Sequence, residues 1–119
     1  MHQTYNDLQK VRKTLSEAIN YMRSTNKKLG QAEYNYRLAL TKAEITLKVN
    51  GYEGEYGKTE PVAWTMAGEI ARGLPEVAKL RLDRDLLQGE LEAAQQKIYQ
   101  CKIEIGLLEK EVEMIAKGE

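Results

Sequence analysis

The 119-residue chain contains one imidazole, His2, and one thiol, Cys101. A Ser-His-Asp or Cys-His arrangement needs a base held beside its nucleophile. His2 lies in a terminal turn that frays, so nucleophilic catalysis has no base to use. One His and one Cys can complete neither a zinc site nor an internal disulfide. Cys101 falls between Ile98 and Ile105 in an apolar repeat, a place for a small packed hydrophobe in a reducing compartment. Glu109, Glu111 and Glu113 point to different sides of any helix that holds them, so they do not converge on a cation. The run Gly51-x-x-Gly54-x-x-Gly57-Lys58-Thr59 ends like a phosphate-binding loop. It lacks the preceding buried strand and the four-residue gap between glycines, and reads as a flexible loop closed by an N-cap. The expectation is a protein that is not an enzyme and holds no cofactor or metal.

Recognition chemistry is better supplied. Tyr52, Tyr56, Lys58, Trp64 and Arg72 gather in one glycine-rich stretch, and aromatic with cationic side chains on a loop suit a protein partner. A plainer reading turns Trp64 inward beside Val62 and Ile70 to seal the bend. Arg23, Lys27 and Lys28, with Tyr21 and Tyr34 for stacking, are the alternative nucleic-acid surface. Those cations are scattered over several faces and no reader motif accompanies them, so at most weak, salt-sensitive association is expected.

The elements that would position these residues follow from periodicity. Leu8, Leu15, Met22, Leu29, Tyr36 and Ala43 recur every seven residues, with Val11, Ala18, Ala32 and Ala39 three places on and Thr25 and Thr46 diluting the series. This predicts a long helix over 4–48. A second seam, from Val77 and Leu80 to Val112 and Ile115, is interrupted only by Arg84 and predicts a helix over 76–117. Between them lies a loop, 49–59, carrying Asn50-Gly51 and further glycines. Thr59 is positioned as the N-cap of a short helix over 60–72, with Pro61 in its first turn, an apolar face of Val62, Met66, Ala67 and Ile70, and Gly73 as a left-handed stop. With seven Tyr, one Trp and no Phe, the chain suits a thin helical core. The fold class expected is all-α, a single domain over 1–119 built as a long antiparallel helical hairpin, coiled-coil-like.

Charge supports the hairpin. Residues 1–49 hold nine basic and four acidic side chains, a net of +5, and residues 75–119 hold seven basic and ten acidic, a net of −3. Folding back sets Lys10, Arg12 and Lys13 beside Glu104, Glu109, Glu111 and Glu113. Arg84 is placed to meet Glu44 and set the register, or to run its aliphatic stem out to water. Leu82, Leu86, Leu107 and Met114 form a row off the second seam, for which a two-helix pair has no use. A homodimer making a four-helix bundle is the expected cover for it. No apolar run approaches the length of a membrane span and no signal-peptide core is present, so a cytoplasmic protein without a membrane partner is expected.

From Leu47 through Leu91, the order helix end, glycine loop, Gly57-Lys58-Thr59-Glu60, Ala-rich short helix and long heptad helix resembles small helical early-region accessory proteins of Firmicutes phages and prophages. Those often carry a Gly-Lys-Asn-like tetrad between two long helices; Thr59 stands here in place of the Asn, and Pro61 departs from the charged residues that follow it there. The resemblance implies a phage accessory protein that binds a host or phage nucleic-acid-processing complex, for example as an anti-CRISPR-like inhibitor of a defence nuclease. The alternative is a nucleic-acid-binding accessory protein for replication or recombination.

Overall fold

A computed structural model describes residues 2–53, 59–60 and 62–118, the side chains of 52, 53, 59 and 60 excepted. The protein is an all-α helical hairpin. Helix α1 spans His2–Asn50, α2 spans Trp64–Gly73 and α3 spans Pro75–Gly118, so both long helices extend past the limits expected from periodicity. The chain divides into two compact units, one made of residues 1–27 with 88–119 and the other of residues 28–87.

In the first unit, Leu8 of α1 and Ala94, Ile98 and Cys101 of α3 are buried, and the remaining apolar seam positions are half-buried. Thr25 takes a seam position here and is 2% exposed. The antiparallel register is fixed at the edges. Thr4 Oγ1 donates to Glu111 at 3.3 Å, Arg12 Nη2 pairs with Glu109 at 3.2 Å, and the Tyr21 hydroxyl donates to Glu90 at 3.2 Å.

In the second unit the core is Ala32 and Tyr36 of α1, Val62, Ala67 and Ala71 at α2, and Val77 of α3. Arg84 meets Glu33, not Glu44. Its Nε lies 3.5 Å from Glu33, its Nη2 lies 2.9 Å from Asp85, and its guanidinium sits 4.6 Å from the centre of the Tyr36 ring. The hydrogen bond to Asp85 is the main cause that raises the Arg84 pKa above its ordinary value. Tyr36 decides the choice of partner, because stacking on its ring carries the guanidinium toward Glu33, three residues back on α1.

The connection between α1 and α2 differs from the expected loop and N-cap. Gly51 adopts φ 74°, and its N–H bonds to the Leu47 carbonyl at 2.9 Å, the left-handed stop that Asn50-Gly51 suggests. Strand β1, Tyr52–Glu53, then pairs antiparallel with β2, Thr59–Glu60, in the register Tyr52 with Glu60 and Glu53 with Thr59. Thr59 is therefore a strand residue, not the N-cap of a helix over 60–72. Helix α2 begins at Trp64, after an extended Ala63 that makes no side-chain cap. The reason is steric: a residue before proline is pushed out of the helical region, so Glu60 before Pro61 cannot open a helix.

The same rule corrects Gly73, which closes α2 without a left-handed turn. Leu74, before Pro75, is extended at φ −65° and ψ 136°. Its N–H bonds to Ala71 O at 3.1 Å, and its carbonyl accepts the Ala78 N–H at 2.8 Å. One extended residue thus ends α2 and starts α3, with Pro75 in the first helical position, where a missing N–H costs nothing.

Candidate partner-binding surface at the bend

The bend belongs to the unit of residues 28–87. Helix α2 turns a face of small residues inward: Ala67 and Ala71 are fully buried, and Gly68 is buried beside them. A Cβ added to Gly68 would lie 3.5 Å from Glu44 Oε1 and 3.5 Å from Arg72 Nη1, so α2 passes α1 at Glu44. Residues this small bring α2 close to α1, and α2 carries Trp64 and Met66 outside while Ile70 is half-buried. Met66, expected on the apolar inner face, is 56% exposed; Val62, at 4%, fills the inward place ahead of the helix.

Trp64 is 61% exposed and does not seal the bend. One turn before Gly68, it meets α1 one turn after Glu44, at Lys48. The Lys48 ammonium lies 5.2 Å from the centre of its ring and donates a hydrogen bond to the Val62 carbonyl. Lys48 therefore ties the start of α2 to the end of α1 while covering one side of the indole. Ile45 at 50% and Val49 at 77% exposure are one turn apart on the outer side of α1, with Lys48 between them. Ile45, Lys48 and Val49 were not singled out from sequence, and Met66 was expected to face inward. The legible signal was an apolar pair spaced by four residues off the heptad seam, ending at the helix stop.

Of the residues expected to bind a partner, Trp64 and Arg72 are both exposed. Tyr56 and Lys58 lie outside the described residues, and Tyr52 is described only through its backbone in β1. The off-seam row is also outward: Leu82 is 56%, Leu86 60%, Leu107 63% and Met114 73% exposed. Arg23, Lys27 and Lys28 are exposed on α1 and enter no ion pair among the described residues.

Cys101 is buried at 3% exposure, as its seam position requires. Among the described residues, no helix is long and apolar enough to cross a membrane, and no group of three or more His, Cys, Asp or Glu side chains is placed to hold a metal ion. Compared with family models, curated proteins and solved structures, the chain matches none.

Proposed function

We propose that the protein is a non-enzymatic protein-interaction module: a phage or prophage accessory protein, working in the host cytoplasm, that binds a nucleic-acid-processing complex and acts there as an inhibitor of a defence nuclease. The observation that carries the interaction reading is the exposed Trp64, held by Lys48 and sharing its unit with exposed Ile45, Val49 and Met66. A tryptophan fixed in place but open on its other side is the side chain that dominates binding energy when a partner covers it. Tyr52, Tyr56 and Lys58 in the adjoining segment supply further contact area and charge. The phage role rests on the resemblance of Leu47–Leu91.

Self-association belongs to the same proposal. Leu82 and Leu86 on α3 share a unit with exposed Tyr34, Leu38 and Ile45 on α1, and covering such residues from water favours a dimer. The second reading, nucleic-acid binding, is favoured only by Arg23, Lys27 and Lys28, which enter no ion pair among the described residues.

The test is affinity capture from phage and host lysate with mass spectrometry, comparing the native chain with Trp64→Ala and with a Tyr52→Ala, Tyr56→Ala, Lys58→Ala triple variant. Both variants should keep helical content and melting temperature and lose the captured complex, since a lost aromatic anchor costs about 2 kcal/mol or more. Undiminished capture by both variants overturns the bend as the working surface. Tight DNA binding at physiological salt, abolished by neutralising Arg23, Lys27 and Lys28, favours the second reading instead.

A further inference from the structure

The unit of residues 1–27 and 88–119 contains an open groove of about 440 Å3 between α1 and α3. Its floor is made of alanines, Ala18, Ala93 and Ala94, and Thr14, Glu17, Tyr21, Glu90 and Lys97 form its walls. Small residues facing one another from α1 and α3 leave a hollow where a larger pair would have closed the surface. Leu107 and Met114 follow Ala93 at two and three heptads, so they continue the same side of α3. Both are more than 60% exposed. The groove and these two residues make a track about 30 Å long, at about 1.5 Å per helical residue, apolar except at Gln100, which takes the heptad position between Ala93 and Leu107.

Charge says what fits the track. Glu17, Glu90, Glu104 and Glu111 flank it, and Asp7 lies one heptad before Thr14 on the same side of α1. Three lysines, Lys10, Lys97 and Lys110, stand against these five carboxylates along the track. None of the five enters an ion pair among the described residues. Those that are hydrogen-bonded use neutral partners: Asp7 takes Gln3, Glu90 takes Tyr21 and Glu111 takes Thr4. The paired acids of this unit, Glu109 and Glu113, occupy other heptad positions. Acidic flanks left unneutralised along an apolar track match the partner rules of a coiled coil, where opposite charges at flanking positions select the strand that joins.

We infer that this groove receives an amphipathic α-helix of another protein, one whose apolar ridge is flanked by lysine and arginine. Its ridge fills the alanine hollow and covers Leu107 and Met114, and its cations meet Glu17, Glu90, Glu104 and Glu111. A second copy of this chain fits poorly. The outer side of α1 in the same unit offers Asn6, Gln9, Lys13, Ser16, Asn20 and Arg23, all exposed and without an apolar ridge. The track itself, presented by a second copy, would set carboxylate against carboxylate. This surface is separate from the bend, and the assay below leaves the bend residues untouched, so either reading can fail alone.

The test uses the full chain and two synthetic peptides of about 24 residues, each with leucine at heptad spacing, one flanked by lysine and arginine and the other by glutamate. Fluorescence anisotropy should show the basic peptide binding at least tenfold tighter than the acidic one, and more weakly as salt rises. The Glu17→Lys, Glu90→Lys, Glu104→Lys variant should reverse the order. Ala93→Trp, which fills the hollow from an exposed position, should weaken the basic peptide at least tenfold while circular dichroism reports unchanged helix. Equal binding of the two peptides, no binding at 0.1 mM of the basic one, or indifference to both variants overturns the inference. So does a dimer of the chain alone that Leu107→Glu converts to monomer, which assigns the track to a second copy.

Discussion

Arg84 occupies a position where the heptad asks for an apolar side chain, and its surroundings explain how the core accepts it. The guanidinium lies over the Tyr36 ring, reaches Glu33 and Asp85, and leaves its side chain 24% exposed. Ion pairs open to water contribute little, so most of its value is the contact with the tyrosine ring. Arg84→Ala should lower stability in urea unfolding by about 1–2 kcal/mol, because it bares one side of Tyr36. Arg84→Leu should stay within about 1 kcal/mol of the native chain, since an apolar residue of similar reach suits a seam. Gly30 behaves in the opposite sense. It lies inside α1, and a Cβ there would meet nothing within 4 Å. Gly30→Ala should therefore stabilise the protein by about 1 kcal/mol in the same measurement, the helix-propensity difference unopposed by a clash.

Among the elements, α2 depends most on small side chains. Its closeness to α1 rests on Ala67, Gly68 and Ala71. Ala71→Leu should overpack this contact and destabilise by about 1–3 kcal/mol, read as a lower melting temperature. Gly68→Ala should be tolerated, because its added methyl would make only ordinary contacts at 3.5 Å. Helix α3 is built differently, with one heptad seam buried and an off-seam row left outward. A helix with apolar residues on two sides is made for two neighbours, and α1 supplies one of them.

For the molecule as a whole, the exposed Leu82 and Leu86 of the outward row predict self-association. Sedimentation at micromolar concentration should show a reversible dimer, and Leu82→Glu with Leu86→Glu should shift it to monomer with helical content unchanged. A stable monomer of the native chain would give those two leucines to a different protein. The excess of cations in α1 and of anions in α3 guides the fold-back; the pair Arg12 with Glu109 follows that polarity, and Arg84 with Glu33 runs against it.

The two long helices, their antiparallel pairing and the buried place of Cys101 were legible in the chain itself, because a heptad seam states both the helix and the face that must be covered. The stop at Gly51 was legible for a similar reason: its backbone requirement is local. Tertiary structure decided what depends on competition between neighbours. Thr59 could cap a helix or pair as a strand, and its antiparallel partner Glu53 in β1 settled it as a strand. Trp64 could seal the bend, but α2, brought close to α1 by Ala67, Gly68 and Ala71, carries it outside over Lys48. Arg84 had two glutamates within sequence reach, and the ring of Tyr36 chose Glu33. The alanine groove is visible only once Ala18 is set against Ala93 and Ala94, since a hollow is a property of two surfaces together and not of either helix alone.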